Sequence, residues 1–556
     1  MRGKAAGTQG FVWLKRQVPP HEAEAVARLG LKGVYTVQEG RRFYPHHSLA
    51  AHVLGFVGVD SQGLEGLERR LDPVIRGQPY DIEADRDGRR QVIFTAGVPT
   101  PPAQGSRVEL TIDAGIQDVT ERELAAGVAA AKAAGGAALV LDPSTGEVLA
   151  LANVPAFDPN QPGRRHDRGW RDRVRNRAIT DPYEPGSTFK AILAAAAIEE
   201  RVVKPTDMFF CENGRYQVGR WRIHDAHRHG WLSFAQVIQY SSNIGATKVA
   251  ECLGAERYYR YLRAFGFGAR TGIELPGETP GILRPVERWA RIDLATHSFG
   301  QGVSVTPLQM AAAFAAIANG GLLVRPYLVR RVLTPEGAVV LANEPAVVRR
   351  VVSARTAATV TALLRRAVEE KGGTGEKARL DDFPVAGKTG TAQKVNLHTG
   401  TYSSKRIGSF VGFVPADRPR VVILVLIDEP GGSSYGGVVA APVFRAIAGT
   451  VLKRLGVESP ALPFRMASAP AGPAPRKTPA LARSARTAAA PAEPSTPSFL
   501  GLSRREALTR AYAAGWDVQV SGIGYVSEQS PPPGAPLVPE RRLALRLVPG
   551  PGTASP

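Results

Sequence analysis

The chain has 556 residues, 44% of them hydrophobic, which suffices for about three or four domains with proper cores and excludes a disordered protein. Its 70 Lys and Arg against 50 Asp and Glu give a formal charge of +20, which suits an anionic neighbour: nucleic acid, anionic lipid or an acidic wall polymer. The two cysteines, Cys211 and Cys252, exclude a disulfide framework and a cysteine-based metal site, and allow at most one bridge.

No apolar run is long enough to cross a bilayer, which takes about 18 to 20 residues. The longest candidates, Ala311 to Ile317 and Val421 to Ile427, are typical of a core helix and a buried strand. The segment from Met1 to Pro20 lacks the uninterrupted apolar centre of a signal peptide. Taken literally, the sequence therefore predicts no export route of its own.

Short helices and turns are predicted near the start of the chain, as in the stretch from His46 to Gly77. An alternating strand at Val108 to Ile112 then leads into a helix. Two apolar strands follow, Ala137 to Leu141 and Val148 to Ala152, joined by the turn DPSTG. A strand, a turn and a strand in that order predict an antiparallel hairpin.

Helices and loops are predicted from Ser187 to about Glu370. Strands return at Phe383 to Lys388, Ser409 to Val414 and Val421 to Ile427, before a final helix near Val443 to Leu455. Two strand-rich ends that enclose a helical middle predict an α+β protein, with an antiparallel sheet and helices packed on it.

Ala and Pro dominate from about Ser459 to Pro497, which predicts an extended tether without a core. Beyond it, Ser503 and Glu506 stand at capping-box spacing at the start of a helix that ends at Gly515. One face of this helix carries Ala507, Leu508, Ala511 and Tyr512. DVQVSG and RLALRLV alternate as two short strands, so the end of the chain is predicted to be a small separate module.

The stretch DPYEPGSTFKAILAAAAIEE predicts a loop that becomes a helix at Ser187, with Lys190 one turn further on the same face. One interpretation makes Ser187 a helix N-cap and lets Lys190 reach water. A cation in the first turn, however, opposes the helix dipole, at a cost of up to about 1 kcal/mol. The alternative hypothesis is that the Lys190 amine acts on the Ser187 hydroxyl.

Two further short motifs supply what such a site needs, a proton relay and a positive charge. SSN spans Ser241 to Asn243 at the start of another predicted helix, and VAGKTGTAQ puts Lys388 to Thr391 on a predicted strand. Average residue usage gives Ser-x-x-Lys about once in several hundred residues and Lys-Thr-Gly about once in several thousand. Neither Ser-x-x-Lys nor Ser-x-Asn would indicate an active site by itself.

All three motifs in this order resemble the penicillin-recognising serine acyl enzymes. The flanks narrow the resemblance to the class B penicillin-binding proteins: RNRAITDPYEPGSTFK, QYSSNIG, THSFGQGVSVTPLQMAAAFAAIANGG, VAGKTGTAQ and SFVGFVPADRPRVVILVLIDEP. FVWLKRQVPP and YPHHSLAAHVLGFVGVDSQGLEGLE resemble the non-catalytic pedestal of that class, and Pro497 to Pro549 resembles a PASTA domain. Apart from the tether, the resemblance covers nearly the whole chain.

The resemblance implies an α+β multidomain protein with the penicillin-binding transpeptidase fold, an antiparallel sheet with helices on both faces plus an all-helical subdomain. It divides the chain into a mixed α/β pedestal or dimerisation domain (1–105), a transpeptidase domain (106–457), an Ala/Pro-rich linker (458–496) and a PASTA domain (497–550). It also implies a location on the extracytoplasmic face of the cytoplasmic membrane. Because class B proteins normally begin with a membrane helix, an anchor upstream of the printed start is expected, and delivery by another route is the alternative.

The resemblance further implies a role for each catalytic residue. Ser187 would attack the carbonyl between the two terminal D-alanines of a wall stem peptide, with Lys190 as general base. Ser241 would relay the proton to the leaving amine, while Asn243 would hold the substrate amide and orient Lys190. Burial and the nearby cation of Lys388 would both lower the pKa of Lys190.

The third motif would bind the substrate. Lys388, with the hydroxyls of Thr389 and Thr391, would hold the terminal carboxylate. Gly390 has no side chain, so the substrate is expected to lie against that strand as an added strand. The backbone N–H groups of Ser187 and Thr391 would form the oxyanion hole. No cofactor and no metal are implied.

The implied function is that of a peptidoglycan D,D-transpeptidase acylated by penicillin, acting at division in preference to elongation or sporulation, with a D-Ala-D-Ala carboxypeptidase side activity. Implied partners are stem peptides, nascent glycan strands, β-lactams, a glycosyltransferase, division-complex membrane proteins and a second copy of the chain, but not nucleic acid. The alternative is a β-lactam sensor or wall scaffold that acylates slowly or not at all. Intact reactive residues argue against a dead scaffold, and a sensor would need a signalling domain.

Three other patterns receive structural interpretations. IHDAHRHGW has metal-binding spacings, but without a second ligand cluster a solvated loop is favoured over a metal site at His224, Asp225, His227 and His229. The run from Arg164 to Arg177 has the composition of a nucleic-acid patch, and a solvated loop or a contact to anionic wall polymer is favoured. GGTGEK lacks the ending of a phosphate loop and predicts a turn after a helix.

Overall fold

The computed structural model describes residues 13–34, 36, 39–77, 85–86, 92–93, 104–163, 167–395, 401–458, 496–502, 504–522, 524–536 and 542–548. The chain divides into two compact units, Met1–Arg465 and Met466–Pro556. In the part of the chain that the structure describes, no helix is both long enough and apolar enough to span a membrane.

The α-helices are, in chain order, Pro20–Arg28 (α1), Ala51–Leu54 (α2), Gly66–Arg70 (α3), Asp72–Ile75 (α4), Ala114–Ala130 (α5), Trp170–Val174 (α6), Arg177–Thr180 (α7), Lys190–Glu199 (α8), Phe234–Gln239 (α9), Asn243–Leu253 (α10), Ala255–Ala264 (α11), Arg291–Ser298 (α12), Pro307–Ala318 (α13), Ala354–Glu369 (α14), Gly436–Val439 (α15), Ala441–Arg454 (α16) and Arg504–Ala513 (α17). Short 3-10 turns occupy Gly186–Phe189, Glu212–Gly214, Val286–Arg288 and Glu376–Ala378. The short helices α1 to α4 agree with the prediction for the start of the chain.

The strands are, in chain order, Asp85–Arg86 (β1), Val92–Ile93 (β2), Arg107–Leu110 (β3), Gly135–Leu141 (β4), Val148–Val154 (β5), Met208–Phe210 (β6), Arg215–Val218 (β7), Trp221–His224 (β8), Trp231–Ser233 (β9), Leu322–Val324 (β10), Val329–Leu333 (β11), Val339–Ala342 (β12), Val347–Arg350 (β13), Ala386–Val395 (β14), Tyr402–Val414 (β15), Val421–Asp428 (β16), Asp517–Gly522 (β17), Tyr525–Ser530 (β18) and Arg542–Val548 (β19). The largest sheet has five of them, in the spatial order β14-β15-β16-β4-β5.

Every neighbouring pair in this sheet is antiparallel, and the pair of β4 and β5 confirms the predicted hairpin. Neighbouring side chains of a strand point to opposite faces of the sheet, and in this sheet both faces are buried. Leu139 packs in the core that contains Phe314 of α13, whereas its neighbour Val140 packs in the core that contains Phe444 of α16. This arrangement confirms the predicted α+β architecture with helices on both faces.

The strand predicted at Phe383 to Lys388 starts and ends later in the structure, where β14 runs from Ala386 to Val395. Pro384 has no N–H for a ladder, and its carbonyl accepts a hydrogen bond of 2.7 Å from Ala416 N, so pairing begins beyond it. The strand then continues because β15 supplies backbone partners for the following residues, from Ala386 opposite Phe413 onward. The glycines at its centre do not interrupt it.

Helices dominate the middle of the chain as predicted, but four small antiparallel ladders that the sequence did not predict also lie there: β6 with β9, β7 with β8, β10 with β13 and β11 with β12. Each of these strands has only three to five residues, too few for a period of two to stand out. The predicted strand near Val108 is β3, which pairs with β11 outside the main sheet.

The run from Arg164 to Arg177 is packed rather than solvated at its centre. Residues 164–166 lie outside the described residues, and α6 begins at Trp170, which is only 9% exposed. Its ring lies edge-on to Phe56, with ring centroids 6.3 Å apart. The solvated-loop interpretation is therefore wrong at Trp170. Burial of an aromatic ring of that size contributes more free energy than the flanking arginines lose in hydration.

In the smaller unit, α17 accompanies a three-stranded sheet of order β17-β19-β18, in which β17 and β19 run parallel. Ala507 and Ala511 are buried as predicted, while Ser503 and the Tyr512 side chain lie outside the described residues. The prediction missed β18, because of its residues YVSEQS only Val526 is buried. A strand with one buried side chain carries almost no apolar pattern.

The central strand β16 offers a test of how much the main sheet stabilises the unit. We expect Leu424→Ala, at a side chain that is 0% exposed, to lower the free energy of unfolding by about 2 to 5 kcal/mol. The matched change Leu341→Ala on β12, where the side chain is 47% exposed, should alter it by no more than about 0.5 kcal/mol. Denaturant unfolding of both variants measures the difference, and equal effects would contradict the assignment of the core.

Candidate active site

Ser187 lies inside the 3-10 turn that precedes α8, and Lys190 is the first residue of that helix. The Lys190 side chain is 0% exposed, and its Nζ is 3.1 Å from Ser187 Oγ. The interpretation of Ser187 as an N-cap with Lys190 reaching water is therefore wrong, because the amine is sealed from solvent. The structure instead brings the amine beside the hydroxyl.

Three more oxygens surround the Lys190 amine. Its Nζ donates to the Ser241 carbonyl at 2.6 Å and lies 3.1 Å from Ser241 Oγ and 2.8 Å from Asn243 Oδ1. Ser241 adopts the left-handed conformation with φ +62°, uncommon for a residue with a side chain, just before α10 begins at Asn243. All four residues of the first two motifs thus meet around one nitrogen.

Lys388 and the two threonines of the third motif stand on β14, the outer strand of the main sheet. Lys388 is 0% exposed, and its Nζ lies 3.3 Å from Thr389 Oγ1 and 3.4 Å from Thr374 Oγ1. Thr391 is half-buried, and its Oγ1 accepts a hydrogen bond of 3.3 Å from Gly436 N. The structure therefore brings the substrate-binding candidates Lys388, Thr389 and Thr391 to one edge of the sheet.

Gly390 lies where β14 packs against the loop before Ser187. A Cβ there would lie 2.7 Å from the Pro185 carbonyl oxygen and 2.5 Å from Ser409 Oγ. The room that the missing side chain leaves is thus filled by other atoms of the protein. The consequence is that β14 lies directly against the loop that carries Ser187.

Burial controls the charge of the two lysines. It lowers the pKa of Lys190 to about 7, while the carboxylate of Asp225 acts in the opposite direction. Burial, and next to it the positive charge of Lys190, hold the pKa of Lys388 well below its ordinary value. The predicted lowering of the Lys190 pKa is confirmed, with burial as its cause. The second predicted cause, the cation of Lys388, does not lower it; the repulsion between the two lysines lowers the pKa of Lys388 instead.

Asp225 is a part of the site that the sequence did not predict. Its carboxylate accepts hydrogen bonds from Ser242 Oγ at 2.6 Å, Asn243 N at 2.5 Å and Ile244 N at 3.1 Å. It therefore holds the start of α10, where backbone N–H groups favour an anion, and with it the amide of Asn243. No pattern in the sequence links Asp225 to a helix that begins 18 residues later.

Thr374 is the second missed residue. GGTGEK forms a turn after α14, as predicted, and this turn brings Thr374 Oγ1 to 2.9 Å from Thr389 Oγ1. Together with the contact to Lys388 Nζ, this completes a cluster of two hydroxyls and one amine. The interpretation as a turn was correct, but a turn residue by itself carries no signal that it faces another motif.

The histidines of IHDAHRHGW are distributed around the site. The His224 carbonyl accepts from Asn243 Nδ2 at 2.9 Å, and the His229 ring stacks on Tyr240 with centroids 5.4 Å apart. Among the described residues, no three His, Cys, Asp or Glu side chains are grouped to hold a metal ion. Both cysteines are free, so the optional bridge is not formed: Cys211 is buried and Cys252 is exposed.

A cleft with a volume of about 1140 Å³ opens above these groups. Ser187, Ser241, Asn243, Thr389 and Thr391 line it, so a molecule in the cleft would meet all three motifs at once. The two buried lysines lie beneath this surface. The arrangement is able to activate a serine hydroxyl and to bind an anionic group close to it.

Three family models match the chain: the penicillin-binding protein transpeptidase domain at residues 136–449, the penicillin-binding protein dimerisation domain at 5–110 and the PASTA domain at 495–548. The chain belongs to the class B penicillin-binding proteins. Its motif residues lie within the transpeptidase match, and the smaller unit contains the PASTA match.

Several known proteins are similar to this penicillin-binding protein. Stage V sporulation protein D of Bacillus subtilis is 38% identical over 449 residues, which are 80% of this chain and 68% of the relative. Peptidoglycan D,D-transpeptidase FtsI of Escherichia coli is 36% identical over 455 residues, 81% and 74% of the two chains. The crystal structure of penicillin-binding protein 3 from Mycobacterium tuberculosis matches with 38% identity and a TM-score of 0.67, covering 75% of this chain and 91% of that one. These matches confirm the resemblance and the fold that it implies.

The role of Asp225 can be tested by Asp225→Asn. The variant replaces an acceptor of three hydrogen bonds by an amide with one oxygen, so we expect acylation by benzylpenicillin to slow by about 10- to 100-fold. Because the carboxylate raises the pKa of Lys190, its loss should also move the acidic limb of the pH–rate profile to lower pH.

Stopped-flow acylation across the pH range measures both effects. Glu376→Gln, which neutralises an exposed carboxylate in the same cleft, is the matched control and should leave the rate and the limb in place. The role of Asp225 would be contradicted if Asp225→Asn kept the parent's acidic limb in the pH–rate profile and an acylation rate within about twofold of the parent's.

Proposed function

We propose that this protein is a peptidoglycan D,D-transpeptidase of cell division and that Ser187 forms the acyl-enzyme. The observation that carries the proposal is the buried Lys190 amine, 3.1 Å from the Ser187 hydroxyl and with a pKa near neutrality, about 7. Such an amine is neutral in a large share of molecules at neutral pH, as a general base must be. The naming of the Escherichia coli relative as a peptidoglycan D,D-transpeptidase supports the same activity here.

In the first half of the reaction, Ser187 Oγ attacks the carbonyl carbon between the two terminal D-alanines, and its proton passes to Lys190. The carbon–nitrogen bond of the tetrahedral intermediate then breaks. Ser241 Oγ, 3.1 Å from Lys190 Nζ, relays the proton to the departing amine of D-alanine. The hydrogen bond between Lys190 and Asn243 Oδ1 keeps the base oriented, and an ester on Ser187 remains.

In the second half, an amine of a neighbouring stem peptide attacks this ester. A peptide bond forms, the bond to Ser187 Oγ breaks, and the proton that the amine loses returns to the serine by way of Lys190. The product is the cross-link between two strands. Water in place of the amine would give a carboxypeptidase reaction, which we propose as a side activity.

Charge complementarity supports the substrate-binding roles. Lys388, with Thr389 and Thr391, would hold the terminal carboxylate of the donor, and the arriving anion would raise the pKa of Lys388 and favour its protonated form. Backbone N–H groups of Ser187 and Thr391 would form the oxyanion hole, each worth about 3 to 4 kcal/mol in the transition state. A Cβ on Gly186 would lie 2.8 Å from the Thr391 carbonyl oxygen, so the two backbone segments are in contact, as such a hole requires.

Penicillin would follow the same route. Ser187 would open the β-lactam ring, but the released amine would stay attached and block the acceptor, so the acyl-enzyme would persist. The similar penicillin-binding protein 3 of Mycobacterium tuberculosis, 38% identical, has been solved in complex with ampicillin, which supports this behaviour.

The same proposal covers organisation and location. We propose a pedestal or dimerisation domain at 1–105, a transpeptidase domain at 106–457, a linker at 458–496 and a PASTA domain at 497–550, on the extracytoplasmic face of the cytoplasmic membrane. The family matches at 5–110, 136–449 and 495–548 support this division. Partners would be a glycosyltransferase, membrane proteins of the division complex and a second copy of the chain.

The acyl-enzyme can be tested by intact mass. After incubation with benzylpenicillin, we expect one adduct on the parent protein and none on Ser187→Ala, because only the parent retains the nucleophile. Circular dichroism establishes that the variant is folded. No adduct on a folded parent protein would contradict the proposal and favour the alternative of a non-acylating scaffold.

The general base can be tested by pH. Because Lys190 acts in its neutral form and its pKa is lowered to about 7, the acylation rate should be low below that pH and rise as pH increases through it. Lys190→Arg should lose the rise and nearly all of the rate, since a guanidinium stays protonated. A parent profile that rises only near the ordinary lysine pKa of about 10.4 would exclude Lys190 as the neutral base.

A further inference from the structure

The substrate-binding row on β14 continues past its two threonines. Thr389, Thr391 and Gln393 are alternate residues of this outer strand, so their side chains stand on one face of the sheet. All three line the cleft, and Gln393 is half-buried. The row therefore extends beyond the place proposed for the terminal carboxylate.

Arg406 stands beside the end of this row. It is the Cα partner of Gln393 across the ladder with β15, its side chain is exposed, and it lines the cleft. The ladder changes register directly after Gln393, an irregularity that re-aims the neighbouring side chains. Arg406 thus borders the cleft on the face of the sheet that carries Thr389 and Thr391.

The charge of Arg406 is not neutralised by the chain as far as it is described. The neighbouring cations are paired: Lys394 with Asp428 at 2.9 Å and Lys405 with Glu429 at 2.7 Å. Within the described residues, Arg406 has no such ion pair. A guanidinium without a carboxylate partner in a substrate cleft is suited to a carboxylate from the substrate, which it can bind with two parallel hydrogen bonds.

Strand geometry indicates which part of the substrate reaches it. If the donor peptide lies antiparallel to β14 with its scissile carbonyl at Thr391, each residue advances it by about 3.4 Å. The residue that precedes the two D-alanines then lies about level with Gln393 and Arg406. Its side chain is the part of the stem peptide that an arginine at this position can contact.

We propose that Arg406 selects donor stem peptides whose third residue carries a free carboxylate on its side chain, as diaminopimelate does, over lysine or amidated diaminopimelate. The inference rests on the proposed function, because it assumes that the donor is bound as described. A lysine ammonium at this point would face Arg406. Of the acidic residues that line the cleft, Asp225 holds α10 and Asp293 is paired with Arg284 at 2.6 Å. Glu376, the third, is exposed and follows Thr374, which contacts Thr389 rather than the Gln393 end of the row.

The test uses two penicillins, so that no turnover of peptides is needed. One carries a D-α-aminoadipoyl side chain, whose end bears the same amine and carboxylate as diaminopimelate, and the other has that carboxylate converted to a carboxamide. For the parent protein we expect the acylation rate constant to be about tenfold higher for the free carboxylate, a typical value for one charged hydrogen-bonded contact. The ratio should fall with added salt.

The variants assign the selectivity to one residue. In Arg406→Gln the ratio should fall to about one, while Lys405→Gln, which removes the same charge from the adjacent residue, should keep the parent's ratio. A parent ratio near one, or an unchanged ratio in Arg406→Gln, would overturn the inference.

Benzylpenicillin distinguishes a failure of the proposed function from a failure of the role of Arg406. If it acylates the parent protein but the two test penicillins react equally, the proposed function stands and the role of Arg406 fails. If benzylpenicillin does not acylate a folded parent protein, the proposed function itself fails, and the inference fails with it.

Discussion

The site depends on a lysine amine that is removed from water without being given a carboxylate as a direct partner. Burial of an ammonium is unfavourable unless its hydrogen bonds are replaced. Around Lys190 they are replaced by neutral oxygens of Ser187, Ser241 and Asn243, at 2.6 to 3.1 Å. The carboxylate that most raises its pKa, Asp225, contacts the backbone of Asn243 instead. The amine is therefore satisfied in either charge state, and its pKa lies at about 7.

This environment explains why the surrounding fold is so closely packed. The Lys190 amine is shielded from water only if α8, the start of α10 and the edge strand β14 meet over it. Gly390 allows β14 to touch the loop before Ser187, and a Cβ on Gly300 would lie 2.3 Å from the Gly186 carbonyl oxygen. Because these backbones are in direct contact, small shifts of the sheet would move Ser187 relative to Thr389 and Thr391.

Local structure was predicted well where a short period or a tight turn governs it. The hairpin of β4 and β5 and the burial of Ala507 and Ala511 follow from alternation and from helical spacing. The bounds of β14 could not be predicted in this way, because they depend on the backbone partners that β15 supplies. Trp170 was misread for a related reason, since its surroundings are charged in the sequence but apolar in space.

By itself, the sequence determined three motifs: a serine and a lysine one helical turn apart, Ser-x-Asn at the start of a helix, and Lys-Thr-Gly on a strand. Their combination identifies the family. These features are local, because bond geometry and the period of a helix or strand set the distances within each motif. Only the tertiary structure decided how the motifs meet, and it added Asp225, Thr374 and Arg406. Their contacts join segments far apart in the chain, and such contacts arise from packing of the whole sheet and its helices rather than from any local pattern.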